Sequence, residues 1–137
     1  HLLLSETNSR IVPANYAAGP GERVIPVPIN TLARIATEDG FADCDFLKLD
    51  LQGHELEALK GAHKIFGRVE VIVTEVSWLQ IGDVPLLADV LSTFAQHHYR
   101  PYDVWGFNHR PLDGALWQSD LAFVRSDSPL LANRNWS

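Results

Sequence analysis

FLKLDLQGHELEALKGA, residues Phe46 to Ala62, decides how the rest of the chain is read. Phe46, Leu47 and Leu49, interrupted by Lys48, have the apolar density of a buried strand, and the run stops at an acid, Asp50. The turn residues Leu51, Gln52 and Gly53 then lead into an amphipathic helical pattern. A strand that passes into a helix through a tight turn is where open α/β sheets place their ligands, outside the carboxyl ends of the strands. Asp50 is therefore the first candidate site residue.

Downstream of this joint, a helix from about His54 to Phe66 is expected to bury Leu56, Leu59, Ala62 and Phe66, with Glu55, Glu57, Lys60 and Lys64 in water. Gly61 inside it costs about 1 kcal/mol relative to alanine, which suggests close approach to the sheet. Gly67 ends the helix. Val69 to Val76 reads as a second buried strand, rich in β-branched residues and suited to parallel pairing. Asp83 and Pro85 are start signals for a third helix to about His98, with Leu87, Val90, Leu91 and Phe94 inward. Strands at about Tyr99 to Trp105 and Leu121 to Arg125, around a PLDG turn at Pro111 to Gly114, leave no room for a crossover helix and should pair antiparallel.

Upstream, residues 1–12 read as a strand and then a polar turn, and residues 13–22 as a loop. Val24 to Ile29 reads as an edge strand, because Pro26 and Pro28 cannot donate to a ladder. Asn30 or Thr31 can cap a helix to about Glu38, with Leu32, Ile35 and Ala36 inward. From residue 46 onward the order β-α-β-α-β-β makes two parallel units closed by an antiparallel hairpin, an α/β arrangement.

The bulk numbers narrow the function. At 137 residues the chain is one domain, and a net charge of −6 without a basic run argues against nucleic acid or an anionic membrane as partner. No apolar stretch reaches the roughly 18 residues of a membrane span. A single cysteine, Cys44, excludes an intrachain disulfide and fits a reducing, cytoplasmic location. It has no histidine or second cysteine near it in sequence to make it a nucleophile. The chain starts at His1 and has no methionine, so it is expected to be a fragment or a trimmed product.

Glu75, near the end of the second strand, is the second candidate carboxylate, able to orient a substrate hydroxyl or to pair with Lys48. Glu55, in the first helical turn, is read chiefly as a cap. Gln52 and His54 in the turn and Trp78 beyond the second strand are candidate substrate contacts, with Trp105 as a further aromatic wall. HELEA fails as a zinc motif because Ala58 stands where the second histidine is needed, and the adjacent His97 and His98 cannot readily chelate, so no metal is expected.

KLDLQGHELEALKGA resembles the K-[IL]-D-[VL]-[EQ]-G-x-E-x-x-x-L-x-G-A signature of the FkbM family of S-adenosylmethionine-dependent methyltransferases. VEVIVTEVS, RPYDV and RPLDGALWQSDLAFVR resemble the following strand and terminal hairpin, so that the resemblance spans residues 23–127. IPVPINTLARIA is similar to the entry V-x-V-x-x-L-D, with Ala33 in place of the aspartate and hence without that helix cap. The resemblance implies the carboxyl-terminal part of a Rossmann-like class I methyltransferase sheet of order 3-2-1-4-5-7-6, with the strand at 46–50 fourth. It implies S-adenosylmethionine as cofactor, with Asp50 and Leu51 at its rim, and Asp50 and Glu75 as catalytic groups. The acceptor would be a small-molecule or saccharide hydroxyl. The family's D-x-G-A-N-x-G-like turn is missing; GPG at 19–21 precedes no helix. The chain alone is therefore expected to bind the cofactor weakly and to be inactive. The rival is a non-catalytic half-domain used for binding or dimerisation. In that reading the strand at 46–50 offers an open edge for homo-oligomer pairing, with Lys48 as the visible deterrent.

Overall fold

The computed structural model describes residues 2–4, 10–41, 43–63 and 65–137. The chain divides into two compact units, His1–Asn30 and Thr31–Ser137.

The first unit is a small antiparallel sheet. Strands β1 (Leu2–Leu4), β2 (Arg10–Ile11) and β3 (Arg23–Ile25) lie in the order β2-β1-β3. The single strand expected over residues 1–12 is thus two short ones, and the turn placed between them falls at 5–9, outside the described residues. β3 is an edge strand as expected, but it stops at Ile25, immediately before the prolines that cannot extend a ladder.

The second unit is the α/β body. It runs α1 (Leu32–Glu38), β4 (Phe46–Leu49), α2 (Glu55–Lys60), β5 (Val71–Ser77), α3 (Leu87–Gln96), β6 (Tyr99–His109) and β7 (Leu116–Arg125). A short 3₁₀ turn at Pro129–Leu131 follows. The sheet order is β4-β5-β7-β6: β4 and β5 are parallel, and β7 is antiparallel to both β5 and β6. β5 and β6 therefore run the same way with β7 inserted between them. Both parallel units and the closing hairpin stand as expected, although β5 itself borders one parallel and one antiparallel neighbour.

One face of the sheet holds the core. Leu49, Ile72, Val76, Leu121 and Phe123 pack there with Ala36, Leu59, Val90 and Phe94 from the three helices. Phe94 and Phe123 stack with ring centroids 3.8 Å apart, and neither is exposed. Burying each contributes about 1.5–3 kcal/mol. β4 is an edge strand rather than a fully buried one. Leu49 is buried while Phe46 is 58% exposed, so only one of its faces meets the core.

Several helix boundaries differ from the sequence reading, each for a local reason. α2 ends at Lys60, not near Phe66; turns follow at 61–63 and 65–67, and Gly67 takes a φ of +96°. Gly61 closes α2, but its close neighbour is the start of α1 and not the sheet. A Cβ there would meet the Thr31 side chain at 3.2 Å, and its carbonyl accepts the Ala33 N–H at 3.0 Å. Thr31 caps α1 by accepting the Arg34 N–H at 3.2 Å, so the aspartate missing at position 33 is not needed; Ala33 is buried instead. Ile35, expected inward, is exposed. α3 starts at Leu87 rather than at Pro85, because the Asp89 carboxylate accepts the Leu86 N–H at 3.0 Å, and Leu86 bridges back to Ser77. Among the residues expected in water, Glu55 is only 5% exposed, and Lys64 lies outside the described residues.

Candidate active site at the carboxyl ends of β4 and β5

Strand register sets the site. Lys48 pairs with Val73 and Leu49 with Thr74, which brings Asp50 level with Glu75 one residue further along. Glu75 is in turn opposite Asp120 on β7, and Asp120 is opposite Trp105 on β6. Cross-strand partners share a face, and residues two apart along a strand return to it. Lys48, Asp50, Glu75 and Asp120 therefore form one polar row on the face opposite the core.

Each acid in this neighbourhood has a different task. Glu55 is the buried one. Its Oε1 accepts the Leu51 N–H at 2.8 Å and the Gly53 N–H at 3.3 Å, clamping the turn between β4 and α2. The clamp suits a backbone that bends through left-handed conformations at Gln52 (φ +52°) and Gly53 (φ +96°). A Cβ on Gly53 would come within 2.7 Å of Val84 Cγ1, so glycine also lets the loop after β5 lie against the turn. Asp120 forms an ion pair with Lys48. The pairing of Lys48 with Glu75 read from the sequence is thus corrected: Lys48 reaches across to β7. Glu75 is instead held by Gln118, whose Nε2 donates to its carboxylate at 2.7 Å.

Asp50 is left open. It is exposed, and its carboxylate accepts only the Gln52 side-chain amide, at 3.0 Å, among the described residues. The backbone N–H groups of the turn are taken by Glu55 and not by Asp50. Glu75 is partly buried, and its pKa is raised above the ordinary carboxylate value. Desolvation is the main cause, the negative charges of Asp50, Glu55 and Asp120 add to it, and Lys48 opposes it.

The remaining candidates divide. Gln52 and Leu51 are exposed at the turn beside Asp50. Trp78 follows β5, 41% exposed, with its indole N–H donating to Ser119 Oγ at 2.9 Å. Trp105 sits within β6 rather than after its end, because the strand runs on to His109. His54 precedes α2 without a side-chain capping bond and lines a groove between α2 and α3 on the other side of the sheet. His97 packs against Phe66 with the rings tilted at 34° and their centroids 4.2 Å apart. Among the described residues no group of three or more His, Cys, Asp or Glu could hold a metal ion, and no helix is long and apolar enough to cross a membrane. Asp120 and Gln118 went unread in the sequence. The signal was their spacing of two within QSDLAF, which puts both on one strand face.

The body is mixed α/β, and its parallel pair of strands ends in an open carboxylate beside a second, partly buried one. Residues 4–101 match the methyltransferase FkbM domain, and the chain belongs to that family of methyltransferases. The matched stretch includes β4, the turn, α2 and β5, and stops short of β7, where Gln118 and Asp120 lie. No curated protein and no solved structure matches the chain.

Proposed function

We propose that this chain carries the acceptor side of an S-adenosylmethionine-dependent methyltransferase that methylates a hydroxyl of a small molecule or saccharide. The supporting observation is the division of labour at the β4–α2 turn: Glu55 takes the backbone amides, and Asp50 is free beside a Glu75 poised to accept a proton. The sheet order β4-β5-β7-β6 agrees with the last four strands of a Rossmann-like class I methyltransferase.

The residues present fit one end of the cofactor and not the other. Acidic side chains at Asp50 and Glu75 suit a positively charged sulfonium, and the exposed Leu51 offers it an apolar rim. The turn's Leu51 and Gly53 amides, however, are already bound by Glu55, so they are not free to cradle a carboxylate or a ribose oxygen. Accordingly residues 1–137 by themselves would bind S-adenosylmethionine weakly. When bound, the cofactor supplies an electrophilic methyl group.

The chain's own part is alignment and proton removal. Asp50 accepts a hydrogen bond from a neighbouring hydroxyl of the acceptor molecule and so fixes the direction of the attacking oxygen's lone pair; such positioning supplies up to roughly 7–11 kcal/mol. Glu75 receives the proton of the attacking hydroxyl. Its partial burial, and then its repulsion with Asp50, Glu55 and Asp120, raise its pKa and favour the protonated form, and general-base catalysis of this kind is worth about 10²–10⁴-fold. Gln118 holds Glu75 in place as the proton arrives.

Transfer of a labelled methyl group from S-adenosylmethionine to hydroxyl acceptors, measured on the complete gene product, tests the reading. Glu75→Gln should lower turnover by about two orders of magnitude or more, and Asp50→Asn should lower it strongly too. Activity should fall as pH drops through the raised Glu75 pKa. Turnover unchanged in both variants would refute the assignment.

A further inference from the structure

The β4–β5 register ends at Leu49 and Thr74, one residue before Asp50 and Glu75, so the ladder itself leaves Asp50 unfixed. The loop after β5, residues 78–85, is placed to do that work. Its ends meet where Ser77 bridges Leu86, and inside it the Gln80 side-chain amide donates to the Gly82 carbonyl at 2.8 Å and to the Val84 carbonyl at 3.1 Å. A surface loop closed at its base and braced by its own side chain is of the Ω type, compact enough to act as one body. On the reading of Asp50 and Glu75 given above, we propose that Val84, braced by Gln80, is a positioning residue that holds Asp50 beside Glu75 by packing on the β4–α2 turn.

The contact that carries this lies between Val84 and Gly53. A Cβ on Gly53 would be 2.7 Å from Val84 Cγ1, 3.4 Å from its Cβ and 3.7 Å from its Cα, so side chain and backbone of Val84 both rest on the glycine. Gly53 and its predecessor Gln52 are consecutive residues of positive φ, +96° and +52°. Glycine adopts such a backbone readily. For glutamine it is strained, and it persists only where the surroundings over-determine it. Two constraints do so here: Glu55 holds the Leu51 and Gly53 amides, and Val84 packs on Gly53.

Gln52 is also the residue that reaches Asp50, its Nε2 donating to the carboxylate at 3.0 Å. With Val84 withdrawn, Gly53 gains room, Gln52 relaxes to an ordinary backbone, and its amide leaves Asp50. The loop continues β5, which carries Glu75, and Gly53 continues β4 past Asp50. Their contact therefore ties together the two strand ends that bear the carboxylates.

Carboxyl resonances of the 137-residue chain, followed by NMR through a pH titration, report the place of Asp50 without cofactor or acceptor. Partial burial is the main cause of the raised Glu75 pKa; Asp50, Glu55 and Asp120 add to it, and Lys48 opposes it. Val84→Ala and Gln80→Ala should each let Asp50 turn into water and so lower the Glu75 midpoint. Val84→Ile, which keeps the branched Cβ, should leave it at the parent value. In an Asp50→Asn background Val84→Ala should move the Glu75 midpoint no further, an outcome that lost packing alone does not produce. Gln80 is exposed, so its variant carries the test where Val84→Ala fails to fold. An unmoved Glu75 midpoint in the folded alanine variants, or a shift that survives undiminished in the Asp50→Asn background, would overturn the proposal. Absence of methyl transfer by the complete gene product would count against the proposed reaction and leave this role of the loop standing.

Discussion

Replacing Glu55 should loosen one turn and leave the rest of the fold in place. Its buried carboxylate accepts two backbone N–H groups, a short bond from Leu51 at 2.8 Å and a longer one from Gly53 at 3.3 Å. A hydrogen bond to a charged group contributes about 1.5–3 kcal/mol, and the longer bond counts for less. Glu55→Ala removes both and strands two amides, for an expected loss of about 2–4 kcal/mol. Glu55→Gln keeps a carbonyl acceptor of the same shape and should lose about 1 kcal/mol. Urea unfolding at constant m-value measures the difference between the two variants. Amide hydrogen exchange locates it. Leu51 and Gly53 should lose protection in the alanine variant, whereas amides in β5 and β7 should change only as far as global stability does. Unaltered exchange at Leu51 and Gly53 in Glu55→Ala would refute the clamp, and with it the reason Asp50 is free.

Three further perturbations test the packing and charge around this turn. Gly53→Ala should cost about 1–2 kcal/mol for its left-handed backbone, φ +96°, and more for the contact with Val84; a melting curve lowered by several degrees is the readout. Gly106→Ala, at φ +64° with Asp120 Oδ2 2.9 Å from the added Cβ, should also lose about 1–2 kcal/mol and turn Asp120 away from Lys48. A Lys48→Ala change should then cost less in that background than in the parent chain, which a double-mutant cycle detects. Glu75→Gln should stabilise at neutral pH. The folded-state pKa of Glu75 is raised, so its favourable contribution is present below the unfolded value and is lost as pH rises through the folded one. The gain should vanish in acid, where the native carboxyl is already protonated, and a gain that persists there would contradict the cause assigned.

The parts of the fold legible in the sequence were those written in hydrophobic period. β5 announced itself through continuous β-branched residues, α3 through its inward stripe, and the closing hairpin through spacing too short for a crossover. What the sequence could not convey was which acid meets which partner. Lys48 and Glu75 lie on neighbouring strands, so an ion pair between them was the natural reading. The actual partner, Asp120, is 72 positions away and reaches Lys48 because β7, not β6, inserts beside β5. Glu55 was legible as a group near a helix start, but its amphipathic position put it in water. Burial follows from the turn folding back over it, which depends on left-handed backbone at Gln52 and Gly53.

The same reasoning explains why four acids and one lysine gather at a strand end without being merely a repulsive cluster. Stability alone would place hydrophobic or neutral residues there, since buried and crowded carboxylates are costly. Here the costs are distributed. Glu55 is compensated by two amides, Asp120 by Lys48, and Glu75 in part by Gln118, while Asp50 stays hydrated. Three of the four thus have partners that keep them fixed, and the fourth has almost none. Partial burial, and then the residual field, raise the proton affinity of Glu75, the carboxylate level with Asp50 on the next strand. Removing Lys48 would disturb this arrangement in a predictable direction, because Lys48 is the one nearby charge that lowers the Glu75 pKa. In Lys48→Ala the acid limb of the pH–rate profile should therefore move to higher pH, and in Asp120→Asn to lower pH. Shifts of the same sign in both variants would show that the row does not act on Glu75 through charge.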